Sequence, residues 1–500
     1  MPSQRIRAGA VRLTAAVVLA AQLPVAVAQT SRADLADLVR RQAAQIEKRE
    51  QRVEALERRD RQADAGAAVQ PDPVEMAAAP QADTDPRSVA DLQDEVDELK
   101  ERTVQVDWSS GSPKFTSADD EFTFQPLGRI QYDFGTTSGS SYDGAGVGDR
   151  NISGTEFRRL RLGVQGQLTD PILYKLELDF ANSDIGVRDA YIATQKDFAL
   201  GQGVVYLGNK FADRSLDGRT SSKYIWFLDR NAVADAISPE SGYYNMGTSA
   251  EFYGDDDWHL SLGVSKGSFG GSDNDSDNLT VLSRGHFNPL VTDNSMLHVG
   301  AWGFYEDFSR GKQPELTDNL RFASHFNDNV RVYGDTVEQP ETSTGYGFEL
   351  AGLTGPVAAS AEYGRREIDS RVAADTDYDA YSAQIGYSLT GEAFGYSTKN
   401  GVWSAPDIAD PVTDGGWGAW QVMARYDALD YENSGNYAGG TGHGTTLGLS
   451  WYLNNYTRFM LNWINWDTHN RVPIVGDPGD REFIGSDDGN TVSARAQVIF

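Results

Sequence analysis

The 500-residue chain contains no cysteine. Disulfide frameworks and thiolate metal sites are therefore excluded, while the redox compartment stays unconstrained. No apolar run reaches the ~20 residues that a membrane-spanning helix requires, and the mean hydropathy is -0.48. Basic residues are in deficit: 44 Lys and Arg stand against 73 Asp and Glu, a net charge of -29. That balance argues against a nucleic-acid partner, because phosphate backbones reward basic patches. It does not decide which ions would cross a pore, since charge at the narrowest point does that.

Other absences narrow the chemistry. His259, His286, His298, His325, His443 and His469 fall without metal-ligand spacing. No Gly-x-Ser-x-Gly elbow is present, and no repeat of solenoid or propeller length recurs. Asp273-Asn-Asp-Ser-Asp277 opens like a calcium loop but lacks the following Gly and the distal Glu, where Arg284 stands. Gly144-Ala-Gly146-Val-Gly148 precedes no helix and is not a nucleotide fingerprint. A barrel enzyme would need a nucleophile, a base and an orienting group converging, and none is visible. The expectation is a non-enzymatic protein with no cofactor and no metal.

What is present begins with a leader. Arg5, Arg7 and Arg12 precede or enter an apolar stretch from Val11 to Leu23, and Ala26-Val27-Ala28 is a small-x-small cleavage site. Residues 1–28 thus read as a secretory signal peptide. Residues 29–62 read as a helical segment with Ser31 as N-cap, and 63–87 as a flexible Ala/Pro-rich linker. In 88–106, Val89, Leu92, Val96, Leu99, Thr103 and Val106 alternate spacings of three and four, a coiled-coil seam. It is too short to be stable alone. A homotrimer would supply three copies side by side, and attachment of this segment to peptidoglycan is a second use for it.

From about residue 120 to 500 the apolar period becomes two. Ile130, Tyr132 and Phe134 oppose Arg129, Gln131 and Asp133. Tyr174, Leu176, Leu178 and Phe180 oppose Lys175, Glu177 and Asp179. The chain closes on Val492, Ala494, Ala496, Val498 and Phe500, which oppose Ser493, Arg495 and Gln497. A soluble β-sandwich would also alternate. Charge deep within the polar phase, and strands of ~9–11 residues with aromatics near their ends, favour an all-β transmembrane antiparallel barrel. The pattern predicts about sixteen strands. Short turns appear at Thr169-Asp170-Pro171, Asn182-Ser183-Asp184, Gly254 to Asp257, Gly355-Pro356 and Asn454-Asn455. Long polar loops appear at 137–154, 212–243, 307–343, 391–416 and 468–489. Short turns on one side and long loops on the other indicate the outer membrane, with lipid against the apolar face. Trp403, Trp417, Trp420, Trp451, Trp463 and Trp466 read as interface-belt residues.

The candidate solute-binding residues are lumen cations. Arg129, Arg159, Arg161, Lys175 and Lys210 sit on the polar phase of the first five strands, and Arg158 lies on the apolar phase near a strand start. Guanidinium and ammonium groups replace the water that an anion loses on entering a narrow pore, and the Arg fork matches phosphate. The alternative is that these cations only neutralise lumen acids such as Glu177, Asp179 and Asp189. That leaves a general porin, or one weakly selective for cations or neutral solutes.

The segments FRRLRLGVQG (157–166), YKLELDF (174–180), RDAYIA (188–193) and LGNKF (207–211) follow in order. SLTGEAFGY (388–396), ARYDALDYEN (424–433) and TLGLSWYLNNYTRFMLNW (446–463) come later. Together they resemble the phosphate-selective porin O and P family. The resemblance implies a sixteen-stranded trimeric porin whose loops fold into the lumen, with an arginine ladder leading to a lysine-containing phosphate site. By that resemblance Arg158, Arg159 and Arg161 match the basic cluster of the second strand. Arg129 matches a basic position on the first strand, Lys175 the lysine beginning the third, and Lys210 the lysine ahead of the constriction loop. Phe227-Leu228-Asp229-Arg230 resembles the family's acidic-Arg stretch in the inward loop, which adds Arg230 to the candidates. The implied solute is phosphate, polyphosphate or a related anion.

Overall fold

The computed structural model describes residues 104–500, apart from 142–148, 182–184, 199–200, 255–256, 267–277, 309–312, 433–438 and 471–484. The expected leader, helical segment, linker and most of the coiled-coil segment lie outside the described residues. So do the acidic run at 273–277 and the glycine-rich stretch at 144–148. Residues 105 and 106, the end of the expected helix, are extended instead. Gln105–Asp107 pairs with Lys114–Thr116, which in turn pairs with the start of the first long strand. That edge offers backbone partners, and a short helix end has nothing to match them.

The long strands are β1 (Thr123–Ser138), β2 (Ser153–Thr169), β3 (Ile172–Asp179), β4 (Gly186–Phe198), β5 (Gly201–Phe211) and β6 (Tyr244–Gly254). They continue with β7 (Trp258–Lys266), β8 (Leu279–Thr292), β9 (Ser295–Asp307), β10 (Pro340–Thr354) and β11 (Val357–Ser370). The last are β12 (Thr376–Ser388), β13 (Ala419–Asp430), β14 (Gly440–Asn454), β15 (Thr457–Asn470) and β16 (Gly485–Ile499). With the two short N-terminal strands these sixteen make one eighteen-stranded sheet. Each long strand pairs antiparallel with its neighbours in sequence. β16 returns to β1 in register from Ile499↔Arg129 to Asn490↔Ser138, closing the barrel. The expected all-β fold and strand number are both observed.

Alternation sorts the side chains as predicted. On β1, Ile130, Tyr132 and Phe134 are exposed on the outer surface, while Arg129, Gln131 and Asp133 are buried within. The polarity is that of a barrel with a lipid-facing exterior and a polar interior. At the seam, Gly128 and Phe500 exchange backbone hydrogen bonds of 2.7 and 3.0 Å. A Cβ on Gly128 would lie 2.0 Å from the Phe500 ring, so only glycine lets the aromatic cover the joint.

Connections alternate between two ends. At one end β2–β3, β8–β9, β10–β11 and β14–β15 are joined by tight turns, and by the general rule this end faces the periplasm. Two readings of the connections change. The segment between Ser388 and Ala419, which includes the 391–416 loop, lies at this tight-turn end, because it joins an even-numbered strand to the next odd one. The connection between β3 and β4, read as a tight turn, lies at the long-loop end. Length alone does not place a connection; its position in the strand count does.

Among the described residues, three connections enter the barrel. The segment between β5 and β6 carries α1 (Leu216–Arg219), capped by Ser215, and α2 (Ala232–Ala236), capped by Asn231. It crosses the lumen. Gln131 donates to the Ser222 carbonyl at 2.9 Å, Arg458 to Ile225 at 2.8 Å and Arg425 to Asp229 at 2.9 Å. Leu216 and Asp217 N–H groups donate to Glu362 on β11 at 3.0 and 3.1 Å. Leu216, Ile225, Trp226, Phe227, Leu228, Val233 and Ile237 are buried. The loop is therefore not polar throughout: its apolar residues make a small core inside the barrel. The hairpin Glu315–Arg321/Arg331–Glu338 packs its apolar side onto that core from the long-loop end. From the opposite end, the hairpin Gly395–Ser397/Val402–Ser404 reaches Trp226. The Trp226 ring lies 4.5 Å from Phe394 and 4.6 Å from Trp403.

Trp403 and Trp466 are each 1% exposed and face inward, so they are not belt residues. Inward loops give large aromatics an apolar setting that a water-filled lumen would not. Trp417 is 79% exposed, and Trp420 and Trp451 stack at 4.9 Å with both indoles donating to the Trp417 carbonyl.

Arg495 on β16 holds Asp133 on β1 through two bonds of 2.7 and 2.6 Å, both groups buried across the closing seam. Arg495→Ala leaves that carboxylate unpaired, and about 3 kcal/mol of stability should be lost. The urea midpoint of the folded-to-unfolded mobility shift should fall, and Asp133→Leu combined with Arg495→Leu should recover most of it.

Candidate functional site

The site begins with a register fault. Gln131 pairs with Arg159 and Tyr132 with Phe157, so Arg158 is an extra residue in β2. A β-bulge of this kind re-aims a side chain. It turns Arg158, out of phase by simple alternation, to the inside beside Arg159. A second fault recurs between β3 and β4. Leu176 pairs with Ala190 and Leu178 with Val187, so Arg188 and Asp189 oppose Glu177 alone. That bulge brings Arg188 inward, a cation missed by alternation.

The seven candidate residues, Arg129, Arg158, Arg159, Arg161, Lys175, Lys210 and Arg230, line one chamber of about 500 Å³. Arg188 and Arg219 join them, while the carboxylates in its lining are Glu177, Asp189 and Asp235. Among the described residues, nine cations and three acids thus line it, in a chain whose net charge is -29.

The cations divide by partner. Arg161 is held by Glu177 and Asp179, each at 2.8 Å, and Lys175 by Asp189 at 2.7 Å. Lys210 is bonded to Glu251, which also takes Arg219 at 3.3 Å. Arg158 has a longer pair with Asp229 at 3.6 Å. Arg129 donates to Ser222 Oγ at 2.5 Å and Arg159 to Gln131 Oε1 at 2.8 Å. Arg230 donates to the carbonyls of Asp217, Gly218 and Thr220 at the buried C-terminal end of α1. Among the described residues, no carboxylate forms an ion pair with Arg129, Arg159 or Arg230.

Residues 124–500 match the sequence profile of the family described as phosphate-selective porin O and P. The chain belongs to that family. An uncharacterized protein of Caulobacter vibrioides is 29% identical over 409 residues, covering 79% of this chain and 77% of that one. Two solved structures are similar at lower identity. The anion-selective porin from Comamonas acidovorans is 13% identical with a TM-score of 0.47, over 76% of this chain and 100% of that one. OmpT, an outer membrane protein of Vibrio cholerae, is 14% identical with a TM-score of 0.46, over 76% and 98%. The protein is an outer-membrane porin, and its closed sheet is the channel wall.

The porin's chamber also carries aromatic rings among its cations. Tyr191, Tyr206, Phe211, Tyr243 and Tyr244 also line it. Tyr244 accepts from Arg161 at 2.9 Å, and Arg230 lies 4.7 Å from the Tyr243 ring. A neighbouring space of about 320 Å³ shares Arg158, Arg230, Asp235 and Tyr243 with the first and adds Arg321, His325, Arg331 and Arg425. Burial pushes the Asp229 carboxyl up, but Arg158, His325 and Arg495 outweigh it and hold the group well below the usual carboxylate range.

Three of the scattered histidines meet across strands. On β7, β8 and β9, the His259 ring lies tilted 5.6 Å from His286, which stacks on His298 at 5.2 Å. Cross-strand neighbours are far apart in sequence, which is why spacing did not reveal them. Asp213, Glu251 and His259 bring ligand atoms within 4.8 Å of one another. The same two carboxylates already take Arg284, Arg219 and Lys210, so positive charge fills the place of a metal ion.

Lys223, on the crossing segment, stands among Arg129, Glu177, Lys175 and Arg161; burial and then the Arg129 charge push its ammonium down to about 8. A lowered pKa means that the group is charged below about pH 8 and neutral above it. The chloride-to-potassium permeability ratio from reversal potentials should therefore fall between pH 7 and pH 9, and Lys223→Met should flatten that dependence. Trp226→Ala should cost about 3 kcal/mol by removing a packed aromatic. It should also raise open-channel conductance by releasing the two inward segments from each other.

Proposed function

We propose that the porin is a passive channel for small anions, with phosphate or a related anion as its preferred solute. One observation carries this reading: nine cations and three acids line a single chamber inside an acidic chain. Anions would be gathered at Arg129, Arg159 and Arg230, whose donors already bond to neutral groups only. They would pass Lys175 and Lys210, where acid partners keep binding weak enough for release. Export by the 1–28 leader, assembly as a homotrimer and attachment of 88–106 to peptidoglycan belong to the same proposal.

A general porin is the second reading, favoured by the ion pairs on Arg161, Lys175 and Lys210. Replacing Lys175 and Lys210 together separates the two: unchanged phosphate permeability would support the general porin. In a potassium chloride gradient, the reversal potential should show chloride passing in preference to potassium, and added phosphate should reduce the chloride current. Arg129→Gln with Arg159→Gln should lower the chloride-to-potassium permeability ratio by roughly threefold. Cation preference without phosphate block would overturn the anion reading.

A further inference from the structure

The cations of the chamber account for an anion, but aromatic rings line the same space among them. There the Phe211 ring stacks on Tyr243 at 5.9 Å with an interplanar angle of 15°, and lies 5.3 Å from Tyr244. Arg230 lies 4.7 Å from the Tyr243 centroid and 5.5 Å from that of Phe211. Inorganic phosphate uses guanidinium donors and has nothing for an aromatic surface to hold. The volume of about 500 Å³ has room for a small organic group beside an oxyanion.

We infer that the chamber takes an aryl phosphate, its phosphoryl oxygens on Arg129 and Arg159 and its ring against Phe211 and Tyr243. Both arginines carry donors that no carboxylate neutralises. Offset or edge contact with Phe211 and Tyr243 supplies attraction beyond area burial, and the nearby guanidinium favours an electron-rich face. A ring paired with an anion would use both kinds of lining group in one chamber, whereas either group alone would use one kind. This rests on the reading of the porin as an anion channel and names the class of anion.

The test compares phenyl phosphate, methyl phosphate and inorganic phosphate as blockers of chloride current through the unaltered protein in planar bilayers. At pH 7.5 the two esters carry nearly the same charge, because their second ionisation lies near 6. Phenyl phosphate should half-block at about tenfold lower concentration than methyl phosphate, and Phe211→Leu should erase most of that difference. Equal block by the two esters would overturn this inference and leave the anion channel standing. Block by none of the three would overturn this inference too, and with it the anion channel if potassium also passes in preference to chloride. A phenyl preference that survives Phe211→Leu intact would overturn the placement of the ring.

Discussion

A sheet that meets hydrocarbon cannot keep an edge, because each unpaired N–H or C=O there costs several kcal/mol. The pairing of β16 with β1 answers that constraint, and everything else follows from it. Once the sheet closes, period-two alternation sends one set of side chains to lipid and the other to a shared interior. Charge that would be ruinous on the outside becomes available inside. Arg495 and Asp133 use it to tie the joint, and Arg129 and Arg159 leave it uncommitted.

The interior is not an empty cylinder. Segments enter from both ends and meet at Trp226, which Phe394 and Trp403 flank. Gly386 has no side chain where Phe394 and Trp226 press on the wall: a Cβ there would lie 2.4 Å from the Phe394 ring. Apolar packing inside a polar lumen is the means of narrowing it, and it draws on the same burial that stabilises a soluble core. The cationic chamber lies along β1 to β5 and the crossing segment, so the route for solute is set as much by what is filled as by what is charged.

Much of this was legible in the sequence. Alternation and turn chemistry gave the barrel, its strand number and the inward phase of Arg129, Arg159, Arg161, Lys175 and Lys210. All seven candidate residues line the same chamber, Arg158 and Arg230 included. What sequence did not show was registry and path. Arg188 turns inward through a bulge, and bulges leave no periodic signal. Phe211 and Tyr243 come together because a long segment returns to its own starting strand. The histidine row is built from residues on three strands. The apolar run Ile225-Trp226-Phe227-Leu228, set within a polar loop, was the available hint that this loop packs inside.

The extra residue in β2 also bears on how such a wall can change over generations. Losing one residue from a strand normally inverts every side chain beyond the gap. Removing Arg158 would instead leave Phe157 and Arg159 as neighbours already matched to Tyr132 and Gln131, an uninterrupted ladder. A single-codon deletion at this spot would subtract one lumen charge without turning the strand inside out, so selectivity here can drift by length as well as by substitution.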